Sequence, residues 1–116
     1  MKLTDTLTGE KKEFTPLTPG RVSLYVCGVT VYDDCHIGHA RGAVVFDVLR
    51  RWLEHGGLRV THVRNITDVD DKIIARARTE AGADLKTAVQ AVAGRSIASF
   101  QADFSKLGLL SPHYEP

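Results

Sequence analysis

The chain has 116 residues, of which 43% are hydrophobic and 25% are charged, and these values are typical of a globular domain. They exclude collagen-like, low-complexity and disordered proteins. Fifteen basic and fourteen acidic residues give a net charge of +1, so the charge alone predicts no general attraction to nucleic acid. Two cysteines are too few for a disulfide-built secreted scaffold, and neither a signal peptide nor a long uncharged apolar run is evident. We therefore expect a cytoplasmic protein that does not enter membranes.

The first half of the sequence predicts a hairpin, a strand and a long helix. The turn residues Thr8-Gly9-Glu10 indicate a short β-hairpin. Residues 22–27 (VSLYVC) are typical of a strand buried on both faces of a parallel sheet. A polar loop over 28–36 leads to a helix that begins at Ile37 and ends at Gly56-Gly57. Along this helix an apolar stripe is predicted to face the core, namely Val44, Val45, Val48, Leu49, Trp52 and Leu53. The polar side chains that are predicted to face elsewhere are Asp47, Arg50, Arg51 and Glu54.

The second half predicts another strand and two more helices. Residues 58–66 form the strand, and the order strand, helix, strand predicts a βαβ unit with parallel strands and an α/β fold. A second helix over 68–82 is predicted to be capped by Thr67 or Asp68, and a third covers 84–107. No closing element is predicted after the third helix. The apolar face of that helix is predicted to consist of Leu85, Val89, Val92, Ile97, Phe100, Phe104 and Leu107. Three histidines are interpreted as surface residues, namely His55, His62 and His113.

Chemically useful residues follow both predicted parallel strands. In open α/β sheets ligands bind outside the carboxyl ends of the strands, so residues at these ends are expected to line one cleft. A helix N-terminus at this edge offers free N–H groups and partial positive charge, which suit a phosphate group. Neither the dinucleotide-binding nor the P-loop glycine pattern occurs. The residues that the topology gathers at this edge are Cys27, Gly28, His36, Gly38, His39, Thr67 and Asp68.

Three motifs carry a resemblance to a known family. They are residues 25–33 (YVCGVTVYD), residues 36–41 (HIGHAR) and residues 63–74 (VRNITDVDDKII). In this order and at these intervals they closely resemble the bacterial cysteinyl-tRNA synthetases, which are class I enzymes. The resemblance implies that residues 1–116 form the N-terminal half of a Rossmann-like nucleotide-binding fold, a truncated part of the catalytic domain without a complete second domain.

The resemblance also implies a reaction and its site residues. Family members join cysteine to ATP, which binds with Mg²⁺, and then transfer the cysteinyl group to tRNA(Cys). His36 and His39 are implied to be catalytic through contacts with the ATP phosphates, and Cys27 is implied to be one ligand of a zinc ion that binds the substrate thiolate. Gly28 and Thr67 would complete the contacts with the substrate cysteine. The implied ATP-binding residues are Val29, Thr30, Tyr32, Asp33, His36, Ile37, Gly38 and His39.

Parts of the family pattern are absent from these 116 residues, including the other zinc ligands and a mobile lysine loop. We therefore expect the isolated chain to be inactive in aminoacylation and prone to self-association. Two alternatives remain open. One is a related ligase that joins cysteine to an amino sugar, although His36-Ile37-Gly38-His39 and Thr30-Val31-Tyr32 favour the tRNA enzyme. The other is a non-catalytic remnant that binds a nucleotide or a partner.

Overall fold

A computed structural model describes residues 1–80 and 84–116. Within these residues, no helix combines the length and the apolar character needed to cross a membrane. The predicted helix over 68–82 reaches into residues 81–82, which lie outside the described residues. The elements, in chain order, are β1 (Lys2–Asp5), β2 (Glu10–Glu13), β3 (Arg21–Val26), α1 (Ile37–His55), β4 (Arg59–Arg64), α2 (Asp71–Glu80) and α3 (Leu85–Lys106).

The predicted hairpin and βαβ unit are both confirmed. Strands β1 and β2 pair in antiparallel fashion around Gly9, whose φ of 72° is accessible to glycine at little cost. Strands β3 and β4 pair in parallel, with Arg21 opposite Arg59 and Val26 opposite Arg64. Helix α1 connects them and ends at Gly56, as predicted. The carboxyl ends of β3 and β4 therefore lie side by side.

Strand β3 is buried on one face, and the prediction of burial on both faces was wrong. Val22 and Val26 are buried, whereas Tyr25 on the opposite face is 64% exposed. Val22 packs with Leu53 of α1 and Val60 of β4, and Phe14 after the hairpin packs against them. Helix α1 covers only one side of this two-stranded sheet, so alternate residues of β3 face outward.

Helix α1 presents a different face to the core from the one predicted. Leu53 is buried and Leu49 packs beside it, but Arg50, expected to face elsewhere, is only 9% exposed. The guanidinium of Arg50 donates to Glu54 Oε1 at 2.9 Å and to the backbone oxygen of Ser111 at 2.8 Å. The helix is rotated so that the segment after α3 covers its polar flank. The remainder of the predicted stripe is 41–61% exposed and consists of Val44, Val45, Val48 and Trp52.

Helices α2 and α3 form the second apolar cluster of the chain. Asp70 caps α2, because its Oδ1 accepts from the backbone N–H of Lys72 at 2.9 Å, so the predicted cap at Thr67 or Asp68 was wrong. Asp84 caps α3 through the backbone N–H of Thr87, and the predicted end of α3 near Leu107 is confirmed. The helices enclose a cluster made of Val31, Ile73, Ala77, Val92 and Ala93.

The segment after α3 returns to the sheet, which contradicts the prediction that no closing element follows. Residues 113–116 lie along the free edge of β4 in parallel. The N–H of Arg64 donates to the oxygen of Tyr114 at 3.1 Å, and the N–H of Ile66 donates to the oxygen of Pro116 at 2.8 Å. Strand β4 is thus paired on both sides, with β3 on one side and residues 113–116 on the other.

His62 lies inside the molecule, so its interpretation as a surface residue was wrong. Its side chain lies on the same face of β4 as that of Val60, which is the face that α1 covers, and it is 5% exposed. Neither ring nitrogen has a hydrogen-bond partner among the described residues. Burial lowers the pKa of His62, and the nearby Arg50 and Arg64 lower it further. This side chain is therefore held neutral.

Candidate functional site

The loop after β3 continues the parallel pairing beyond the end of the sheet. The N–H of Thr67 donates to the backbone oxygen of Val29 at 3.1 Å, and the N–H of Val31 donates to the oxygen of Thr67 at 3.2 Å. Thr30 lies opposite Thr67 in this short ladder. These bonds bring two of the sequence motifs, which are far apart in the chain, into contact. The candidate residues Gly28 and Thr67 are consequently held at one edge of the sheet.

Gly28 and Asn65 make the closest contact between these two segments. A Cβ atom on Gly28 would lie 1.6 Å from the backbone oxygen of Asn65, so only glycine fits. The side-chain Oδ1 of Asn65 accepts from the N–H of Gly28 and from the hydroxyl of Tyr25, both at 3.0 Å. Asn65 is not among the predicted site residues, because the strand was predicted over residues 58–66 and so contained it. Strand β4 ends at Arg64, which places Asn65 at the carboxyl end, where ligands bind in such sheets.

The two candidate histidines build the start of α1. His36 is the N-cap residue, and its Nδ1 accepts from the backbone N–H of Gly38 at 3.1 Å. His39 completes a capping box, since its Nδ1 accepts from the backbone N–H of His36 at 3.4 Å. The two imidazole rings stack with their centroids 3.7 Å apart and their planes 17° apart. The helix start thus uses histidines in the place that Ser, Asp and Glu usually take.

These contacts decide which ring nitrogen carries the proton. Because the Nδ1 atom of each ring accepts a hydrogen bond, a neutral ring has its proton on Nε2. Burial lowers the pKa of His39, and the adjacent His36 lowers it further. Neither Nε2 has a hydrogen-bond partner within residues 1–80 and 84–116. The pair therefore offers two N–H donors beside the positive end of the helix dipole.

Gly38 makes room for the ring of His36. A Cβ atom on Gly38 would lie 2.9 Å from Cε1 and 3.0 Å from Nδ1 of His36. These distances are shorter than van der Waals contact, so any larger residue would displace the imidazole. Gly38 is one of the residues that the family resemblance implies to bind ATP, and the room it leaves for the ring of His36 is an intramolecular reason for the same glycine.

A cavity of about 200 Å³ lies between the end of β3, the start of α1 and the side of α3. Four of the seven residues predicted to line one cleft border it and three do not, namely Cys27, Gly28, Gly38 and His39 against His36, Thr67 and Asp68. Phe100 and Phe104, which were predicted to lie on the apolar face of the third helix, also line this cavity. The ring of Phe100 meets His39 edge-on at 5.8 Å between centroids. The complete lining is Val26, Cys27, Gly28, Val29, Gly38, His39, Gly42, Ala43, Phe46, Arg64, Phe100 and Phe104.

The structure does not bring all candidate ATP-binding residues to this cavity. Tyr32 and Asp33 border a different cleft of about 240 Å³, which they share with the side chains of α2 and α3. There Glu80 pairs with both Arg76 and Arg95. Ile37 is 85% exposed at the helix start. The candidates are therefore divided, because Val29, Gly38 and His39 line the first cavity and Tyr32 and Asp33 the second cleft, while three line neither, namely Thr30, His36 and Ile37.

Comparison with known proteins identifies the family. A family model described as the catalytic domain of class I (C) tRNA synthetases matches residues 13–116. The chain belongs to this family. The α/β fold with a parallel two-stranded sheet agrees with a part of the Rossmann-like domain predicted from the resemblance.

Three curated proteins similar to the chain are each named cysteine–tRNA ligase. It is 56% identical over all 116 residues to the cysteine–tRNA ligase of Geobacter metallireducens, where it covers 23% of that protein. It is 54% identical over 116 residues to the enzyme of Pelobacter propionicus and 57% identical over 112 residues to that of Syntrophobacter fumaroxidans. These two matches include 100% and 97% of the chain, respectively. Each covers 22% of the relative. The chain thus spans less than a quarter of the length of these relatives.

The described residues do not form a zinc site by themselves. Cys27 and Cys35 are both free, and Cys27 is exposed at the rim of the cavity. Residues 1–80 and 84–116 contain no group of three or more His, Cys, Asp or Glu side chains placed to hold a metal ion. A protein zinc site needs at least three such ligands. Burial raises the pKa of the Cys35 thiol and the nearby Asp103 raises it further, which disfavours the thiolate form that binds metals.

Proposed function

We propose that the chain forms the ATP-binding part of a cysteine–tRNA ligase and takes part in activating cysteine. The stacked pair of His36 and His39 carries this proposal, because it presents two Nε2–H donors at the start of a helix. Donors in this position suit the charged oxygens of a phosphate chain. The names of the similar proteins support the same function.

The proposed reaction needs little acid–base chemistry from the protein. The carboxylate of cysteine attacks the α-phosphorus of ATP, a new O–P bond forms, and the bond from this phosphorus to the pyrophosphate oxygen breaks. The carboxylate is already ionised at pH 7, so no group has to remove a proton from it. His36 and His39 donate to phosphate oxygens and stabilise the charge that develops there. ATP enters with Mg²⁺, and the cytoplasm supplies both substrates.

The substrate cysteine is assigned to the cavity that Cys27 and Gly28 border, with Thr67 near it in the adjoining ladder. Cys27 would supply one thiolate to a zinc ion whose other ligands lie outside the described residues. A zinc ion bound there would favour a thiolate substrate over a hydroxyl. Transfer of the cysteinyl group to tRNA completes the proposed function.

A chimera tests the proposal with the residues of this chain. The chain replaces the matching residues of the Geobacter metallireducens ligase, and cysteine-dependent exchange of pyrophosphate into ATP is measured. His36→Asn and His39→Asn each keep an acceptor near the Nδ1 position but lack the Nε2 donor. We expect each to lower the exchange rate about 100-fold. His55→Gln, at the far end of α1, is the matched control and should not change it.

The proposal is overturned if the chimera folds but shows no cysteine-dependent exchange under conditions in which the parent ligase is active. It is also overturned if both histidine variants exchange at the rate of the His55→Gln control. The isolated 116-residue chain is proposed not to charge tRNA. Aminoacylation of tRNA by a pure preparation of the chain would contradict that.

A further inference from the structure

The side chain of Asn65 links both strand ends of the candidate site. Its Oδ1 accepts from the N–H of Gly28 and from the hydroxyl of Tyr25 at 3.0 Å, and its Nδ2 donates to Thr67 Oγ1 at 3.5 Å. One amide group therefore contacts the loop after β3, the body of β3 and the segment after β4.

The two donors at Oδ1 fix which way the amide faces. Gly28 N–H and Tyr25 O–H both point at one atom, and only the carbonyl oxygen of the amide can accept two hydrogen bonds. The NH₂ group must then face Thr67. Since the NH₂ group can only donate, the hydroxyl oxygen of Thr67 accepts, and the proton of that hydroxyl remains free.

The backbone around Asn65 allows little adjustment. Gly28 is pressed against the backbone oxygen of Asn65, so the distance between the two segments is fixed. The backbone N–H and oxygen of Thr67 are both used in the ladder with Val29 and Val31. The Thr67 side chain is thus the remaining polar group of this residue that can turn, and its contact with Asn65 restrains it.

We propose that Asn65 is a positioning residue that orients the Thr67 hydroxyl so that its proton points to an acceptor on the substrate, such as a carboxylate oxygen. This rests on the proposed function, in which Thr67 contacts the substrate cysteine. Asn65 itself does not touch the substrate. It acts by holding Gly28 in place and by occupying a lone pair of Thr67.

Asn65→Asp separates the two parts of this role. A carboxylate still accepts from Gly28 and Tyr25, but it also accepts from the Thr67 hydroxyl and so consumes the proton. In the chimera with the Geobacter metallireducens ligase, we expect KM for cysteine to rise about tenfold, with KM for ATP unchanged. On a Thr67→Val background, Asn65→Asp should add no further loss, because its effect passes through the hydroxyl. Tyr25→Phe, which removes one hydrogen bond at Oδ1 only, is the matched control.

The 116-residue chain gives a separate readout that needs no activity. Amide hydrogen exchange at Gly28 should be slow in the parent chain and in Asn65→Asp, and fast in Asn65→Ala, which has no acceptor. Equal exchange at Gly28 in the parent chain and in Asn65→Ala would overturn the proposal. The proposal would also be overturned if Asn65→Asp and Thr67→Val, when combined, raised KM for cysteine by the product of their separate effects. A parent chimera that does not exchange pyrophosphate into ATP would reject the proposed function. Hydrogen exchange at the Gly28 amide would still decide whether Asn65 holds the loop.

Discussion

Gly28 and the backbone oxygen of Asn65 are so close that a single added carbon would lie 1.6 Å from that oxygen. The contact joins the ends of the two parallel strands at the candidate site. Neither partner can retreat easily, because the N–H of Gly28 is bonded to the side chain of Asn65 and the flanking residues are paired in a ladder. The packing of backbone against backbone at this point is therefore a condition for the site to form.

Gly28→Ala is expected to lower the free energy of unfolding by at least about 3 kcal/mol, because the strand ends must separate to accept the new methyl group. Urea unfolding measures this loss. The matched control is Gly94→Ala in α3, where a Cβ atom would meet nothing within 4 Å. The control should gain up to about 1 kcal/mol from helix propensity. Equal stability of the two variants would contradict the expected clash.

Gly38→Ala is expected to displace the ring of His36 while changing stability little. The gain in helix propensity, up to about 1 kcal/mol, offsets the loss of a cap worth about 1 kcal/mol. The ring of His36 should then lose its bond to the backbone and populate both tautomers, which long-range ¹H–¹⁵N correlation spectra report. Gly42→Ala in the same helix has open space at its Cβ and should leave the spectrum unchanged. An unaltered His36 signal in Gly38→Ala would count against this account.

The buried His62 predicts that acid destabilises the fold. Burial lowers its pKa below the ordinary value of 6.5; Arg50, Arg64 and His113 lower it further, and Asp47 opposes them. The unfolded chain therefore binds a proton near pH 6.5 that the folded chain does not. As a result, the free energy of unfolding should fall as the pH drops from 6.5 toward the folded pKa, and it should be constant with respect to this group above 6.5.

His62→Leu tests this prediction, since it removes two ring nitrogens that have no partner among the described residues. Urea unfolding at several pH values between 5 and 8, a range of about three units around the ordinary histidine pKa, should show a smaller slope in the variant than in the parent. Some slope should remain, because burial also lowers the pKa of His39. A slope as steep as that of the parent would exclude His62 as its source.

Zinc content is expected to be low in the isolated chain. Cys27 is one thiolate, and the described residues offer no group of three ligands around it. We expect well under one zinc per chain after dialysis, because tight sites use at least three protein ligands. Elemental analysis of the parent and of Cys27→Ser should give the same low value. One zinc per parent chain, lost in Cys27→Ser, would show that other residues complete the site.

The exposed side of α1 is expected to cause self-association. Val45, Val48 and Trp52 are 57%, 59% and 61% exposed on this side, and exposed apolar patches commonly mark contact surfaces. We expect a second copy of the chain to cover it at high concentration. Light scattering should show a mass that rises with concentration, and Val48→Lys should reduce the rise. Gln90→Lys, on the exposed side of α3, is the control. A constant monomer mass over the whole range would contradict the prediction.

The local patterns predicted the elements well. The β-branched runs around Val22 and Val60 became β3 and β4, and the helix between them made the strands parallel. Gly56 and Asp84 marked helix ends because these caps depend on neighbouring residues, although the same reasoning placed the cap of α2 two or three residues before Asp70. The topology then placed Cys27 and His39 at one cavity. These outcomes follow from information close in the chain.

Contacts between distant segments were missed. The rotation of α1 depends on residues 108–111, which lie on its flank and bond its polar side chains, for example Ser111 to Arg50. The pairing of residues 113–116 with β4 leaves no periodic pattern, because the segment is short and contains a proline. The separation of Tyr32 and Asp33 from His39 likewise depends on where α3 packs. None of these arrangements has a local cause in the sequence.

The capping role of His36 has a genetic consequence. Most substitutions of this residue would weaken the start of α1 and also remove the Nε2–H that is proposed to donate to phosphate, so a survey of variants would report loss of abundance and loss of the proposed activity together. Asn is the informative exception, since it is among the best N-cap residues but its amide does not reach the Nε2 position. The Asn variant should therefore keep normal abundance and lose only the proposed activity. The cap depends on Nδ1 of this ring, whereas the proposed phosphate contact depends on Nε2 of the same ring.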